Sequence, residues 1–178
     1  MMQAPRPTSP GRPKDLEKRA AILEAAKALF VEHGYDGTSM DAIAQRAGVS
    51  KLTVYSHFQD KDSLFVEAVK AKCEEQLPPD LFSVDLSGPL RAQLLKIARA
   101  FFALMTSDEA IGIQRVLARQ VGADSKLPRL FWEAGPRRTQ LALAEFLRAE
   151  VEAGQLEIDD VERAASQFLC LLKGERHA

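Results

Sequence analysis

The stretch TSMDAIAQRAGVSKLTVYSHFQDK, residues 38–61, has the pattern of two short helices joined by a tight turn. Thr38 or Ser39 can cap the first helix through a side-chain oxygen. Four apolar residues then recur at helical spacing and form one stripe: Met40, Ile43, Ala44 and Ala47. Gly48 supplies the left-handed backbone conformation of the turn, and Ser50 is a good cap for the second helix.

The second helix of this stretch has two different faces. Val54 and Phe58 lie four residues apart and point the same way. The opposite face carries a mixed set of side chains with no core to pack against: Lys51, Leu52, Tyr55 and Ser56. This pattern of two short helices, the second with an uncovered face, predicts a helix-turn-helix motif. Such a motif presents its second helix to the major groove of DNA.

Composition restricts the class of protein. The 178 residues are enough for one domain of usual size or for a small domain joined to a larger one. No alternation of apolar and polar residues indicates a strand, so we expect an all-α fold. No apolar run approaches the roughly 20 residues that a membrane-spanning helix needs. The N-terminus also lacks the apolar segment of a secretory signal.

Cysteine and histidine usage argues against metal and catalytic chemistry. Neither Cys73 nor Cys170 has a neighbour at metal-ligand spacing, so we expect free thiols in a reducing, cytoplasmic compartment. The sequence contains no HExxH motif, no phosphate-binding glycine loop and no Ser/His/Asp or Cys/His arrangement. An enzyme is therefore disfavoured, and we expect no cofactor and no metal.

Changes in composition along the chain predict three parts. Residues 1–14 are rich in proline and predict a disordered basic arm, which either reaches a minor groove or only solubilises the chain. Residues 15–60 form the helix-turn-helix domain, and residues 61–178 form a larger helical bundle. Residues 1–61 carry nine Lys or Arg and seven Asp or Glu, whereas the remainder is net acidic. A net positive charge in the N-terminal part is favourable for DNA binding there.

Helical periodicity and helix stop signals predict the remaining elements. We expect helices over the ranges 15–33, 62–76, 87 or 88–105, 108–121, 128–134, 136–153 and from 159 or 160 onward. Pro78 and Pro79 end the helix that begins at Asp62. The 137–153 segment has more apolar surface than one-sided packing needs, which favours a subunit interface.

The first 70 or so residues resemble the TetR family of bacterial one-component repressors. The matching residues form an ordered set: Gly11–Lys14, Ile22, Ala26, Leu29, Phe30, Gly34, Tyr35, Thr38–Met40, Ile43, Ala44, Ala47–Ser50, Thr53–Phe58, Lys61 and Leu64. The resemblance implies a homodimer that places its two recognition helices in successive major grooves of a palindromic operator.

The resemblance also implies roles for single residues. Lys51 and Leu52 would meet base edges, with Thr53 close by. Lysine can donate to guanine, and an apolar side chain can pack on a thymine methyl group. Five residues would hold phosphates: Thr38, Ser39, Tyr55, His57 and Lys61. Tyr55 is alternatively an ordinary half-buried aromatic residue.

The rest of the chain resembles the ligand-binding half of the same family, and loosely its AefR-like subgroup. The matching residues are Arg115, Val116, Pro128, Leu130, Gly135, Pro136, Gly154, Leu156, Asp160, Ala164, Ala165 and Phe168. The resemblance implies that a small-molecule effector binds among the middle helices. It also implies that the last two helices, 137–153 and 160–173, pair with those of a second subunit.

Candidate effector-pocket residues are Phe101, Phe102, Met105, Arg115, Phe131 and Trp132. Aromatic residues at this spacing are also typical of a helical core, and Arg115 could instead pair with a glutamate.

Two functional hypotheses follow. In the first, the protein is a repressor, and effector binding changes the separation of the recognition helices so that they no longer fit their grooves. In the second, it is a helical interaction module with impaired dimerisation and DNA binding. The second hypothesis arises because the sequence ends about a helix earlier than the family pattern.

Overall fold

The computed structural model describes residues 12–83, 88–119 and 126–173, and every regular element within these ranges is helical. The elements are α1 (Arg12–His33), α2 (Met40–Ala47), α3 (Lys51–His57), α4 (Lys61–Gln76), α5 (Leu90–Met105), α6 (Asp108–Arg119), α7 (Leu127–Ala134), α8 (Pro136–Glu152) and α9 (Val161–Lys173). The predicted all-α fold is confirmed. None of the helices in the described ranges combines the length and apolarity needed to cross a membrane.

The described chain divides after Leu64 into two compact units. The first unit contains α1, α2, α3 and the first turn of α4, and the second unit contains the rest of α4 and everything after it. The predicted boundary at residue 60 lies just before α4, whereas this division lies within it. The helix α4 is therefore shared by both units.

The first unit is built on a small core between α1, α2 and α3. Its most buried apolar side chains are Ile22, Ala26, Phe30, Ile43, Val54, Phe58 and Leu64. The predicted caps form, since Ser39 Oγ accepts the Ala42 N–H at 3.1 Å and Ser50 Oγ accepts the Thr53 N–H at 3.1 Å. Gly48 adopts the left-handed conformation with φ +67°, which lets α2 end abruptly and the chain turn into α3.

The second unit is a helical bundle whose core lies between α5, α8 and α9. Ile97 and Phe101 of α5 pack with Leu143 and Phe146 of α8 and with Leu169 of α9. The same core face of α8 carries Glu150, which is 1% exposed and has a carboxylate oxygen, Oε1, without a hydrogen-bond partner.

Element ends differ from the predictions in places with local causes. The helix α1 begins at Arg12, so the last three residues of the predicted arm are helical; residues 1–11 lie outside the described ranges. Pro89 is the N-cap of α5, which therefore starts at Leu90 and not at residue 87 or 88. The short 3-10 turn Pro79–Phe82 was not predicted, because two consecutive prolines indicate only a helix stop.

Candidate DNA-binding site and ligand cavity

The helix α3 leaves one face open. Val54 is completely buried and Phe58 is nearly so, which anchors the helix in the core of the first unit. On the other side, Leu52 is 79% exposed and Tyr55 is 43% exposed. An apolar side chain so exposed on a well-anchored helix is available to contact a partner surface.

Lys51, the first residue of α3, is held by a carboxylate. Its Nζ lies 2.7 Å from Asp41 Oδ1 and 3.0 Å from Asp41 Oδ2. The hydrogen bond that Lys51 donates to Asp41 raises the pKa of Lys51 above its usual value, so the side chain stays charged. Asp41 lies in the first turn of α2 and was not predicted as a site residue. Its position in the sequence could have indicated the contact with Lys51, because the first turns of two helices joined by a tight turn can lie close together.

Ser39 and Thr53 are both engaged in helix capping. Ser39 Oγ accepts the Ala42 N–H, so its hydroxyl hydrogen remains a donor on an exposed residue. Thr53 Oγ1 lies 2.8 Å from Ser50 Oγ, and this hydroxyl pair fixes the first turn of α3. Both residues lie at helix N-termini, where backbone N–H groups also favour anions.

Thr38 does not have its predicted role. It is 2% exposed, and its Oγ1 hydroxyl faces inward with the Gly34 carbonyl at 2.7 Å and the Leu29 carbonyl at 3.0 Å. A hydroxyl has one hydrogen to donate, and here it is used inside the unit. The prediction that the Thr38 side chain holds a phosphate is therefore wrong. Thr38 ties the end of α1 to the start of α2.

Lys61 also faces inward. Its Nζ donates to the Tyr35 carbonyl at 2.8 Å and to the Thr38 carbonyl at 3.1 Å, and it lies 4.2 Å from the centroid of the Tyr35 ring. The Tyr35 hydroxyl in turn donates to the Asp62 carboxylate. Burial and this carboxylate raise the pKa of Tyr35 well above its usual range. One ammonium hydrogen of Lys61 remains to donate to a phosphate. The phosphate contact of Lys61 therefore stays a prediction.

His57 is more enclosed than a simple surface ligand. Its side chain is 10% exposed, and Nε2 lies 3.1 Å from Asp15 Oδ1 of α1 but outside hydrogen-bonding geometry. Its role as a phosphate contact remains a prediction. Within the part of the chain that the structure describes, no three His, Cys, Asp or Glu residues are placed to hold a metal ion.

The second unit contains a cavity of about 570 Å³. Five of the six predicted pocket residues line it: Phe101, Phe102, Met105, Phe131 and Trp132. Arg115 does not line the cavity and is exposed on α6. Among the α6 side chains that the structure describes, Ala110, Ile113 and Gln114 face the cavity. Because the next residue on a helix is rotated by about 100°, Arg115 points away from this cavity, and a contact between Arg115 and an effector stays a prediction.

The polar groups of the cavity wall are mostly uncharged: Thr106, Gln114, Thr139, Gln140 and Ser166, together with the cation of Lys173. Both cysteines also line the wall, which sequence reasoning missed. Burial raises the pKa of the Cys73 thiol to about 11, so this side chain is neutral at ordinary pH. A wall of aromatic and neutral polar groups is typical of a small-molecule site.

Two regions of the chain match known families. Residues 22–68 match the family described as bacterial regulatory proteins, tetR family, and residues 92–178 match the AefR-like transcriptional repressor, C-terminal domain. Among solved structures, the flavonoid-responsive regulator FrrA is 40% identical, with a TM-score of 0.71 over 89% of this chain and 80% of that one. The protein is a DNA-binding transcriptional regulator. It belongs to the TetR family.

Curated relatives include both an activator and a negative regulator of transcription. The transcriptional activator FasR of Mycolicibacterium smegmatis is 33% identical over 54% of this chain and 43% of its own length. The negative regulator IcaR of the icaADBC biofilm operon in Staphylococcus aureus is 43% identical over 28% of this chain and 26% of its own length. The matched region therefore spans less than half the length of these curated relatives.

Proposed function

We propose that this protein is a repressor that binds a palindromic operator as a homodimer and releases it when a small molecule occupies the cavity. The observation that carries the DNA-binding part is the open face of α3. Leu52 and Tyr55 are exposed on a helix that Val54 anchors in the core. A rigid helix with a free face is the geometry that major-groove recognition requires.

In the proposed complex, Leu52 packs on a thymine methyl group and Lys51 donates to guanine, with Thr53 beside them. Ser39 and Tyr55 donate to phosphates and position the helix on the duplex. Lys61 acts mainly by holding the turn between α1 and α2, where its ammonium group already contacts two carbonyls.

The homodimer is proposed to form through 137–153 and 160–173. Leu141 of α8 is 46% exposed and Leu171 of α9 is 83% exposed, so both helices carry large apolar side chains that the single chain leaves uncovered. Two copies related by a twofold axis would cover these side chains with the same surface from each partner. The protein would act in the cytoplasm, where its operator is accessible.

The proposed effector is a planar aromatic molecule with several hydroxyl groups. Phe101, Phe102, Phe131 and Trp132 contribute aromatic rings to the cavity wall, and Gln114 with the other neutral polar groups contributes hydrogen-bonding atoms. The name of the similar regulator FrrA, which is flavonoid-responsive, supports this class. We propose repression because the family that matches this half of the chain is described as a transcriptional repressor.

DNA selected from a random pool at near-physiological salt tests the DNA-binding part, since this salt suppresses non-specific phosphate binding. We expect a palindrome. Leu52→Ala should relax the preference at one position in each half-site, whereas Leu95→Ala, which truncates an exposed leucine of α5, should recover the same palindrome. A folded wild-type protein that recovers no common sequence would contradict the proposal and favour a helical interaction module.

The proposed role of the effector is tested by measuring whether it releases the protein from the operator sequence recovered in this selection. We expect a flavonoid at micromolar concentration to lower operator affinity and to raise the melting temperature of the free protein. Trp132→Ala should weaken both responses, whereas Leu95→Ala should leave both unchanged. A saturated C18 fatty acid that released the operator while flavonoids did not would contradict the proposed effector class.

A further inference from the structure

We infer that Asp41 is a specificity-determining positioning residue, which holds the ammonium group of Lys51 for base reading and withholds it from phosphates. The inference rests on the proposed recognition of DNA by α3. It starts from the contact between the first turns of α2 and α3, where Lys51 Nζ lies 2.7 Å from one carboxylate oxygen of Asp41 and 3.0 Å from the other.

This pairing changes what Lys51 offers to DNA. A free lysine is a mobile point charge that is attracted to any phosphate, so it strengthens binding to every sequence. The Asp41 carboxylate neutralises that charge locally, because the opposite charges lie within hydrogen-bond distance. The pair therefore contributes little to sequence-independent attraction.

The same pairing leaves a directional donor. An ammonium group has three N–H donors, and the two oxygens of Asp41 occupy at most two of them. The remaining N–H belongs to the first residue of α3, which directly precedes the exposed Leu52. A donor in a fixed position discriminates between base edges by hydrogen-bond geometry, which a freely rotating cation does less well.

Both side chains are solvent-exposed, at 59% for Lys51 and 64% for Asp41, so the pair adds little to stability. Its effect is therefore expected in DNA binding and not in folding. The chain offers a matched control in the Lys27–Glu24 pair of α1, where Nζ lies 2.7 Å from an exposed glutamate oxygen. Neutralising Asp41 or Glu24 changes the net charge by the same amount.

The test compares the full-length wild type, Asp41→Asn and Glu24→Gln on two duplexes between 50 and 200 mM salt, a range over which phosphate contacts dominate the change in affinity. One duplex is the selected operator and the other is a scrambled sequence of equal length and composition. For Asp41→Asn we expect tighter binding to the scrambled duplex by about threefold to tenfold, a smaller change on the operator and a salt slope steeper by about 1 per protomer. Glu24→Gln should leave the operator-to-scrambled ratio within about twofold of the wild type.

A second comparison separates this role from a merely local one. In a Lys51→Met background, Asp41→Asn should no longer change the operator-to-scrambled ratio, because no ammonium group remains to release. Asp41→Glu should restore most of the wild-type ratio. Equal ratios for Asp41→Asn and Glu24→Gln would overturn the inference, and so would an Asp41→Asn effect that persists without Lys51. A wild type that binds both duplexes equally would instead refute the proposed function itself.

Discussion

The ammonium group of Lys61 lies 2.8 Å from the carbonyl oxygen of Tyr35 and 4.2 Å from the centroid of its ring. The contact joins the first residue of α4 to the turn that precedes α2. It assigns Lys61 a mainly structural role, whereas the family resemblance implies a phosphate contact.

Lys61→Met should therefore lower the free energy of unfolding by about 2 kcal/mol, since two charge-assisted hydrogen bonds and a cation–π contact are lost. Denaturant unfolding of the full chain measures this loss. The slope of log affinity against log salt should change little. An unchanged stability with a slope reduced by about 1 per protomer would identify Lys61 as a phosphate ligand only.

Thr38→Val should destabilise the protein by about 1–2 kcal/mol, because valine keeps the shape of threonine but removes the hydroxyl that bonds inside the first unit. Thr38→Ser keeps the hydroxyl and should cost less. Thermal unfolding of both variants provides the measurement. If Thr38→Val kept wild-type stability and lost DNA affinity, the inward orientation of the hydroxyl would be wrong.

Gly135 packs tightly against Cys73 within the second unit. A Cβ at position 135 would lie 2.8 Å from Cys73 Sγ and 3.1 Å from Val69 Cγ1. Gly135→Ala should therefore cost about 1–3 kcal/mol through overpacking. Adding Cys73→Ala should recover part of that loss, and a double-mutant cycle measures the recovery. Additive effects of the two substitutions would show that the sulfur atom is not the obstacle.

Glu150→Leu should stabilise the protein by about 1–3 kcal/mol, because it removes a buried carboxylate oxygen that has no hydrogen-bond partner. Glu145→Leu is the control, since Glu145 is an exposed residue of the same helix. The midpoint of denaturant unfolding distinguishes the two variants. A destabilised Glu150→Leu would indicate that the carboxylate has a favourable partner.

The Cys73 thiol makes stability depend on pH at the alkaline end. Burial raises its pKa to about 11, whereas the unfolded chain ionises near the ordinary value of 9.0. The unfolded state therefore loses its proton first, and stability falls as pH rises from about 9 to 11. Relative to Cys73→Ala, the wild type should lose on the order of 2 kcal/mol over this range. Parallel pH profiles for the two proteins would contradict the buried position of the thiol.

Local chemistry explains which features could be predicted from the sequence. The cap of α3 by Ser50 and the left-handed turn at Gly48 depend on residues adjacent in the chain, so their patterns predict them. The Asp41–Lys51 pair and the inward turn of Thr38 depend on how α1, α2 and α3 pack together, which periodicity does not specify. Arg115 shows the same limit, because its neighbours on α6 line the cavity and a single step around the helix excludes it.

Guanine methylation protection on the selected operator tests the central claim most directly, because the modified atom, N7, lies in the major groove that α3 is proposed to enter. We expect two protected patches with centres about one helical turn apart or slightly more, related by the symmetry of the palindrome. Leu52→Ala and Lys51→Ala should weaken both patches together. A single protected patch, or an operator whose guanine N7 atoms all stay unprotected, would contradict a dimer that reads DNA with its two α3 helices.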